Sequence, residues 1–501
     1  MLVLEAGDWS RDPWIRIPLG WGRILTRRLH DWMYFAEPEA SVDGRRVECA
    51  RGKVVGGTSA INAMAYVRGH RSDYDRWAAS GLAGWSYAQV LPYFRRQETW
   101  EGGASPYRGG DGPLFTRASR YADPLIEAYL EAGVAAGHPV TPDYNGAQQE
   151  GFARMQSTIR NGRRWSGADA YLRPAIARGN VEVVVNALAT RVLFDGVRAC
   201  AVQCVRDGKI EIFRAEREVI LAGGVINSPQ LLMLSGIGDA DELRRHGIEA
   251  KVPLKGVGRN LQDHIAAVIP YSRKSPGTFQ RNMRLDRLAV ALAQAYCFGT
   301  GFATDLPSGL TAFLKTDSSL PAADIQVLFQ AGPLSAAPYL MSPFPDGFSS
   351  RAVLLRPESR GAVKLASADP AVAPRIQQNF LATDRDWNLL LAGLRLLREV
   401  GKQPPLAPFV DKELLQEDLR AHVRATAITA HHPLGTCKMG VAGDDLAIVD
   451  EELRVFGIQN LRVIDASVMP DLVGGNINAS VVMIAEKAAD LIRGRAALRP
   501  D

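Results

Sequence analysis

The chain opens with a short apolar run that ends in an acidic residue and a glycine, Met1–Asp8. The second strand of a dinucleotide-binding βαβ unit ends in this way, where its carboxylate binds the ribose hydroxyls of an adenosine. Such a unit carries a G-x-G-x-x-G turn about 20 residues upstream, whereas this sequence begins at the strand itself. Two interpretations stay open: an ordinary buried strand, or a nucleotide-binding unit without its first strand and phosphate turn.

A second apolar run, Glu218–Gly224, also closes in glycines and indicates a buried strand of a parallel sheet. Ser228 and Pro229 then predict a helix with proline at its first position. Between the two runs, Val181–Val185 and Ala189–Phe194 look like paired strands. The pattern predicts an α/β fold with a Rossmann-like domain.

The length of 501 residues exceeds what one simple core supports, so two domains are expected, interleaved along the chain. Residues 271–430 mix strand-like stretches, such as Ala323–Gln330, with helical ones, such as Asp386–Val400. This mixture is typical of an antiparallel sheet backed by helices, and it predicts a second domain of α+β type.

Composition excludes several classes of protein. The net charge of +5 is small and no Lys/Arg block occurs, so nucleic acid is not expected as a partner. No apolar run is long enough to span a bilayer, and no secretory signal precedes the fold. The five cysteines are scattered without zinc-like spacing, which predicts no metal site and a reducing, cytoplasmic location.

A glycine-rich stretch, Arg51–Gly69, contains Gly56 and Gly57 followed by two hydroxyl residues. Such a turn exposes backbone N–H groups and lets a phosphate or a flat ring approach closely. Ile61–Val67 is then predicted to form a short apolar helix. A simple glycine turn before a core helix remains the alternative.

The stretch Ala430–Gly440 places two of the eight histidines side by side, at His431 and His432. Imidazole titrates near neutral pH and is suited to proton transfer. Pro433 and Gly435 break regular structure, so the segment is predicted to be a shaped loop. These residues alone are equally compatible with a buried structural histidine.

The C-terminal part adds two further features. Asn478–Arg493 is predicted to be a helix, and the glycines and asparagines before it favour negative charge at its N-terminus. Asp465 follows a strand-like run, where it either approaches a bound ligand or caps the turn at Ala466 and Ser467.

These stretches resemble the signatures of the glucose–methanol–choline (GMC) flavoprotein oxidoreductases. The matching segments appear in the family's order and cover almost the whole chain: Gly56–Gly69, Gly223–Gly238, Gly256–His264, Ala430–Gly440 and Val463–Ala479. The resemblance implies bound FAD and oxidation of an alcohol to an aldehyde or ketone. It implies an FAD-binding domain at 1–115, 180–270 and 440–501, and a substrate domain at 116–179 and 271–439.

The resemblance also implies site residues. His432 matches the catalytic histidine and Asn478 the second catalytic position, where family members carry His or Asn. An amide cannot accept a proton at neutral pH, so His432 is the expected base and hydride passes to flavin N5. The positions that match FAD contacts are Glu5, Trp32, Val54, Gly56, Gly57, Thr58, Asn62, Ala63, Met64, Ala65, Val192, His431, Asp465, Ala466 and Ala479.

Some of these assignments have plain alternatives. Core packing explains Trp32 and Val192 equally well, and His431 can be an inert, hydrogen-bonded imidazole. Ile61 stands where some members attach FAD through histidine, so covalent attachment there is excluded. The chain departs from the family by starting after the first strand and phosphate turn, which a mis-set start codon or a fragment would explain.

The expected substrate is a small primary alcohol or a sugar-like polyol. The electron acceptor (oxygen, a quinone or another compound) and the oligomeric state stay open. Two other functions remain: a hydroxynitrile lyase with a redox-silent flavin, and a non-catalytic remnant unable to hold FAD.

Overall fold

The computed structural model describes residues 1–333 and 336–500. Its α-helices are α1 (Pro13–Arg16), α2 (Trp21–Arg27), α3 (Arg71–Ala79), α4 (Tyr87–Gln97), α5 (Pro124–Ala135), α6 (Arg173–Ala177), α7 (Gly224–Leu234), α8 (Ala240–Arg245), α9 (Thr278–Asn282), α10 (Leu285–Phe298), α11 (Asp384–Gly401), α12 (Leu419–Thr426) and α13 (Asn478–Ile492).

The strands are β1 (Leu2–Leu4), β2 (Glu98–Trp100), β3 (Leu114–Ala118), β4 (Gly151–Arg154), β5 (Gln156–Ser157), β6 (Ile159–Arg160), β7 (Arg163–Arg164), β8 (Glu182–Val184), β9 (Leu188–Asp195), β10 (Arg198–Arg206), β11 (Lys209–Arg214), β12 (Val219–Leu221), β13 (Ile237–Gly238), β14 (Val252–Pro253), β15 (Ile265–Arg273), β16 (Leu310–Leu314), β17 (Ile325–Gln330), β18 (Gly347–Leu354), β19 (Ala362–Lys364), β20 (Arg375–Gln377), β21 (Val410–Glu413), β22 (Ile428–Thr429) and β23 (Leu461–Val463).

Both glycine-ended apolar runs form parallel strands, as predicted. β1 pairs with β8, with Leu2 opposite Glu182, and β12 pairs with β23, with Val219 opposite Leu461. The predicted pairing of Val181–Val185 with Ala189–Phe194 is wrong, because β8 pairs with β1 while β9 forms an antiparallel sheet with β10 and β11.

An antiparallel sheet of seven strands forms the second domain, in the order β21-β15-β18-β17-β16-β4, with β22 beside β15. Helix α11 packs on it, because Leu390, Leu394 and Leu397 share a core with Ile325 and Val327. The α/β class with an α+β substrate domain is therefore confirmed. The proposed domain boundary at residue 270 falls inside β15, so a boundary before that strand suits the sheet better.

Two local predictions are wrong. Ile61–Val67 is not a helix, because its backbone pairs with other segments: Tyr66 N–H donates to Gln156 O (2.9 Å) and Thr158 N–H donates to Met64 O (2.9 Å). Helix α7 begins at Gly224, and Pro229 lies inside it rather than at its first position.

No helix in residues 1–333 and 336–500 is long and apolar enough to cross a membrane.

A buried charge cluster holds the segment that follows the glycine turn. The Glu98 carboxylate, fully buried, accepts from Arg68 Nη2 and Arg108 Nη2, each at 2.6 Å, and from Thr116 Oγ1 at 2.6 Å. These arginines hold the pKa of Glu98 below its usual value against the effect of burial. Removing one charge of such a cluster leaves the others uncompensated in a low-dielectric interior.

We expect Glu98→Gln to lower the free energy of unfolding by about 3 kcal/mol, because the buried guanidinium of Arg68 loses its counter-charge and that of Arg108 keeps only Asp143. Chemical denaturation of the FAD-loaded protein measures this. Asp241→Asn, which removes an exposed ion pair with Arg244 (2.7 Å), is the matched control and should change stability by less than about 1 kcal/mol. Equal effects of the two variants would contradict the assigned role of the cluster.

Candidate active site

The end of β1 lies directly against the glycine-rich stretch. A Cβ on Gly7 would lie 2.1 Å from Lys53 O, so only glycine allows this approach. Gly7 N–H donates to Glu5 Oε1 (2.7 Å), and Asp8 bridges to Val54. Burial raises the pKa of Glu5 to about 7. The predicted ribose-binding carboxylate thus lies next to the glycine turn that was predicted to approach a phosphate or a flat ring.

The glycine turn leaves an open cradle. Gly56 and Gly57 have φ angles of 100° and 54°, and a Cβ on Gly57 would meet nothing within 4 Å. Thr58–Ala60 continues the 3₁₀ turn that begins at Gly57. Asn62 Oδ1 then accepts from Met64 N–H (3.0 Å), and Met64 has a φ of 59°. The chain from Gly56 to Ala65 is therefore an irregular loop held around a free surface.

Arg164, which is not among the predicted site residues, stabilises the loop from Gly56 to Ala65. Its guanidinium donates to the carbonyls of Ile15 (2.9 Å) and Asn62 (2.6 Å) and to Asn62 Oδ1 (2.9 Å). Arg164 is buried, its Nη2 has no partner, and burial lowers its pKa to about 9. A buried cation with an open donor fits an anionic ligand.

The histidine loop runs beside a second predicted segment. Gly435 N–H donates to Ala466 O (3.3 Å) and Cys437 N–H donates to Ser467 O (2.8 Å). His432 N–H donates to Asp263 Oδ1 (2.9 Å), and burial raises the pKa of that carboxyl. These contacts fix the backbone that carries His432.

The side chain of His432 lies between a second histidine and an amide. His264 Nδ1 is 3.0 Å from His432 Nδ1, and His264 Nε2 is 3.0 Å from Leu355 O. On the other side, Asn476 Nδ2 is 2.8 Å from His432 Nε2. Asn476 Oδ1 in turn accepts from Gln326 Nε2 (3.1 Å).

The predicted partner of His432, Asn478, is therefore replaced by Asn476 in the structure. Asn478 is the first residue of α13, whereas Asn476 lies in the loop before the helix and turns toward the imidazole. Two glycines, Gly474 and Gly475, precede Asn476 and were the available signal for a loop residue at this place.

Both histidines of the pair are neutral. Burial lowers the pKa of His264 to about 4. Burial also lowers the pKa of His432 well below 6.5, and the charge of Arg51 acts in the same direction. His432 is 7 % exposed, so its ring is nearly enclosed by protein. At neutral pH it is an unprotonated base.

Two other predicted FAD contacts, Val192 and Asp465, already have hydrogen-bond partners within the protein. Val192 N–H donates to Ser235 Oγ (2.9 Å), so that donor is not open to an adenine. Asp465 accepts from Ser467 N–H (2.8 Å), Gly224 N–H (2.9 Å) and Ser228 Oγ (2.6 Å). It caps the 3₁₀ turn at 466–468, as the alternative interpretation proposed.

Two predicted FAD contacts, Trp32 and His431, have aromatic rings that contact other side chains. Trp32 stacks on Tyr34 with centroids 5.7 Å apart, and Lys53 Nζ lies 4.8 Å from the Trp32 ring centre. His431 Nε2 lies 3.4 Å from Glu48 Oε1, while its Nδ1 has no partner among the described residues.

The two remaining predicted contacts are alanines. Ala63 is half-buried near Met64, and Ala479 O accepts from Gln97 Nε2 (3.2 Å).

The residues present fit FAD. The Glu5 carboxylate suits the adenosine ribose, and the open turn at Gly57 together with the unpartnered Nη2 of Arg164 suits an anionic group such as a phosphate. Val67, which follows the loop from Gly56 to Ala65, lies against Gly475, the neighbour of Asn476.

Two family models, both described as GMC oxidoreductase, match residues 36–266 and 357–485. Among curated relatives, human mitochondrial choline dehydrogenase is 44% identical over 515 residues, covering 99% of this chain and 86% of the relative. The oxygen-dependent choline dehydrogenase of Brucella anthropi is 40% identical over 511 residues, covering 99% and 92%.

Solved structures agree. Pyridoxine 4-oxidase from Mesorbium loti is similar with a TM-score of 0.88 and 30% identity, covering 99% of this chain and 94% of that one. A formate oxidase variant from Aspergillus oryzae is similar with a TM-score of 0.89 and 27% identity, covering 98% and 93%.

We expect Arg164→Met to weaken FAD binding by about tenfold or more, because a charged donor near the pyrophosphate is worth about 1.5–3 kcal/mol. Quenching of FAD fluorescence during titration measures the dissociation constant. Arg163→Met is the matched control, since Arg163 donates to carbonyls of α10 at Tyr296 (3.0 Å) and Cys297 (3.2 Å). Unchanged FAD affinity in Arg164→Met would exclude this assignment.

Proposed function

This chain belongs to the GMC oxidoreductase family, and we propose that it oxidises a small primary alcohol or polyol, with His432 as the base. The expected cofactor, FAD, and the expected class, an oxidoreductase acting on CH–OH groups, are both confirmed. FAD, when bound, supplies the acceptor for the hydride that leaves the substrate carbon.

The contact between His432 Nε2 and Asn476 Nδ2 (2.8 Å) carries the proposal. An alcohol oxygen that displaces this hydrogen bond would accept from the amide and donate its proton to Nε2. Removal of that proton raises the electron density on the oxygen, so the carbon-bound hydrogen can leave with its electron pair. Asn476 stabilises the negative charge that develops on the oxygen.

The neighbours of Asn476 favour an uncharged substrate. Gln326 contacts its amide, and Val67 and Phe313 lie against Gly475. Asp73, which accepts from Gly474 N–H (2.7 Å), is already paired with two arginines. A cationic alcohol needs a carboxylate or an aromatic cage for its charge. The choline dehydrogenases among the relatives nevertheless make choline the competing substrate to test.

We expect neutral primary alcohols and polyols to bleach the flavin of the FAD-loaded protein in anaerobic stopped-flow experiments, with choline reducing it more slowly. The absorbance of oxidised flavin near its visible maximum is the measurement. Faster reduction by choline would overturn the proposed substrate class. Cleavage of a hydroxynitrile without any bleaching would instead favour a lyase.

We expect His432→Ala to lower the limiting rate of flavin reduction by about a hundredfold or more, the usual contribution of a general base. Asn476→Ala should lower it by about a hundredfold, as loss of an oxyanion donor does. Asn478→Ala is the matched control for the second variant, two residues away, and should have a much smaller effect. If Asn478→Ala is the more damaging variant, the assignment of Asn476 is wrong.

The pH dependence follows from the lowered pKa of His432. Since the neutral imidazole is the active form and its pKa lies well below 6.5, the limiting rate of reduction should stay level from pH 6.5 to pH 8. It should decrease only when the pH falls further and His432 takes up a proton. Single-turnover reduction at each pH measures this. A rate that already halves at pH 7 would contradict the enclosed, neutral base.

A further inference from the structure

We propose that His264 is a positioning residue that selects the tautomer of His432, so that Nδ1 carries the hydrogen and Nε2 presents its lone pair to the substrate. Its effect on catalysis rests on the function proposed above. The tautomer itself is a property of the folded protein and is open to measurement without any substrate.

The backbone carbonyl of Leu355 determines which nitrogen of His264 carries the hydrogen. Leu355 O can only accept, so His264 Nε2, at 3.0 Å, must carry the hydrogen of the His264 ring. His264 is fully buried and its pKa is lowered to about 4, so the ring is neutral and holds one hydrogen. Its Nδ1 is therefore an acceptor.

The contact between the two imidazoles determines which nitrogen of His432 carries the hydrogen. His264 Nδ1 lies 3.0 Å from His432 Nδ1, and the rings meet edge-on at an interplanar angle of 85°. Two lone pairs cannot face each other at this distance, so His432 Nδ1 must donate. A neutral His432 then has its lone pair on Nε2.

A second backbone carbonyl, Val327 O, determines the donors and acceptors on the Nε2 side of His432. Thr311 Oγ1 donates to Val327 O (2.8 Å) and accepts from Gln326 Nε2 (3.5 Å). The same nitrogen donates to Asn476 Oδ1 (3.1 Å), which turns Asn476 Nδ2 toward His432 Nε2. The two ends therefore require the same state of His432 independently.

The wrong tautomer would put a hydrogen on Nε2 and leave no base for the alcohol proton. A histidine held in the wrong tautomer loses most of its catalytic worth, by orders of magnitude in a related kind of site. His264 touches neither substrate nor cofactor in this scheme. It acts only through His432.

The experiment uses the FAD-loaded protein labelled with ¹⁵N at histidine side chains, with long-range ¹H–¹⁵N spectra and His432→Gln to assign the His432 signals. We compare His264→Asn, whose amide oxygen can still accept from His432 Nδ1, with His264→Leu, which cannot. In wild type and His264→Asn we expect protonated Nδ1 and unprotonated Nε2. In His264→Leu the hydrogen should move to Nε2 or be shared between the two nitrogens.

Anaerobic flavin reduction by an alcohol substrate is the second measurement. We expect His264→Leu to lower the limiting rate at least about tenfold, with His264→Asn recovering most of it and the apparent substrate affinity little changed. His422→Leu is the matched control, because His422 is equally buried and its Nε2 lies 2.7 Å from Val268 O, away from His432. This control should leave the His432 signals and the rate unchanged.

Several outcomes would overturn the proposal. A His432 tautomer unchanged in His264→Leu would show that His264 does not select it. If His264→Asn and His264→Leu lower the rate equally and leave the tautomers unchanged, His264 contributes only through packing. If no alcohol reduces the flavin of the wild type, the proposed function fails, while the NMR comparison still decides the tautomer.

Discussion

Two backbone carbonyls, Leu355 O and Val327 O, set the direction of the hydrogen bonds in the chain of side chains that contains His432. Five side chains lie between them, Thr311, Gln326, Asn476, His432 and His264. Because a carbonyl can only accept, the donors and acceptors of all the intervening groups follow from the ends. A flexible set of amides and imidazoles thereby becomes a site with one arrangement.

The antiparallel sheet is what brings these carbonyls to the right place. β17 and β18 pair with Gln326 opposite Val353 and Ile325 opposite Leu354, so Val327 lies on β17 and Leu355 directly follows the end of the neighbouring β18. The core under these strands is filled by Leu390, Leu394 and Leu397 of α11, which keeps the register fixed. The histidine loop takes its position from hydrogen bonds to His264 O directly before β15, to Asp263 and to Ala466 and Ser467.

The fold was largely predictable because its signals are local. Apolar runs ending in glycine gave β1 and β12, and helical spacing gave α11 and α13. The errors arose where tertiary contacts replace local preference: Ile61–Val67 pairs with distant segments instead of forming a helix.

The site was predictable only in part, for a similar reason. His432 was predicted from its match to the histidine loop of the family. Its partners were not, because His264 lies 168 positions away and Arg164 is one arginine among many. Asn476 was missed by two residues, since only the three-dimensional path shows that the loop, and not the helix that follows, faces the imidazole.

The enclosed pair of histidines has a consequence for the fate of the proton. Once His432 Nε2 is protonated, the ring has no exit on its inner side, because His264 ends on the Leu355 carbonyl, which cannot be protonated near neutral pH. A proton on His432 therefore cannot pass through His264 to the Leu355 carbonyl. In the proposed reaction, the proton taken up by His432 therefore leaves Nε2 on the side that faces Asn476.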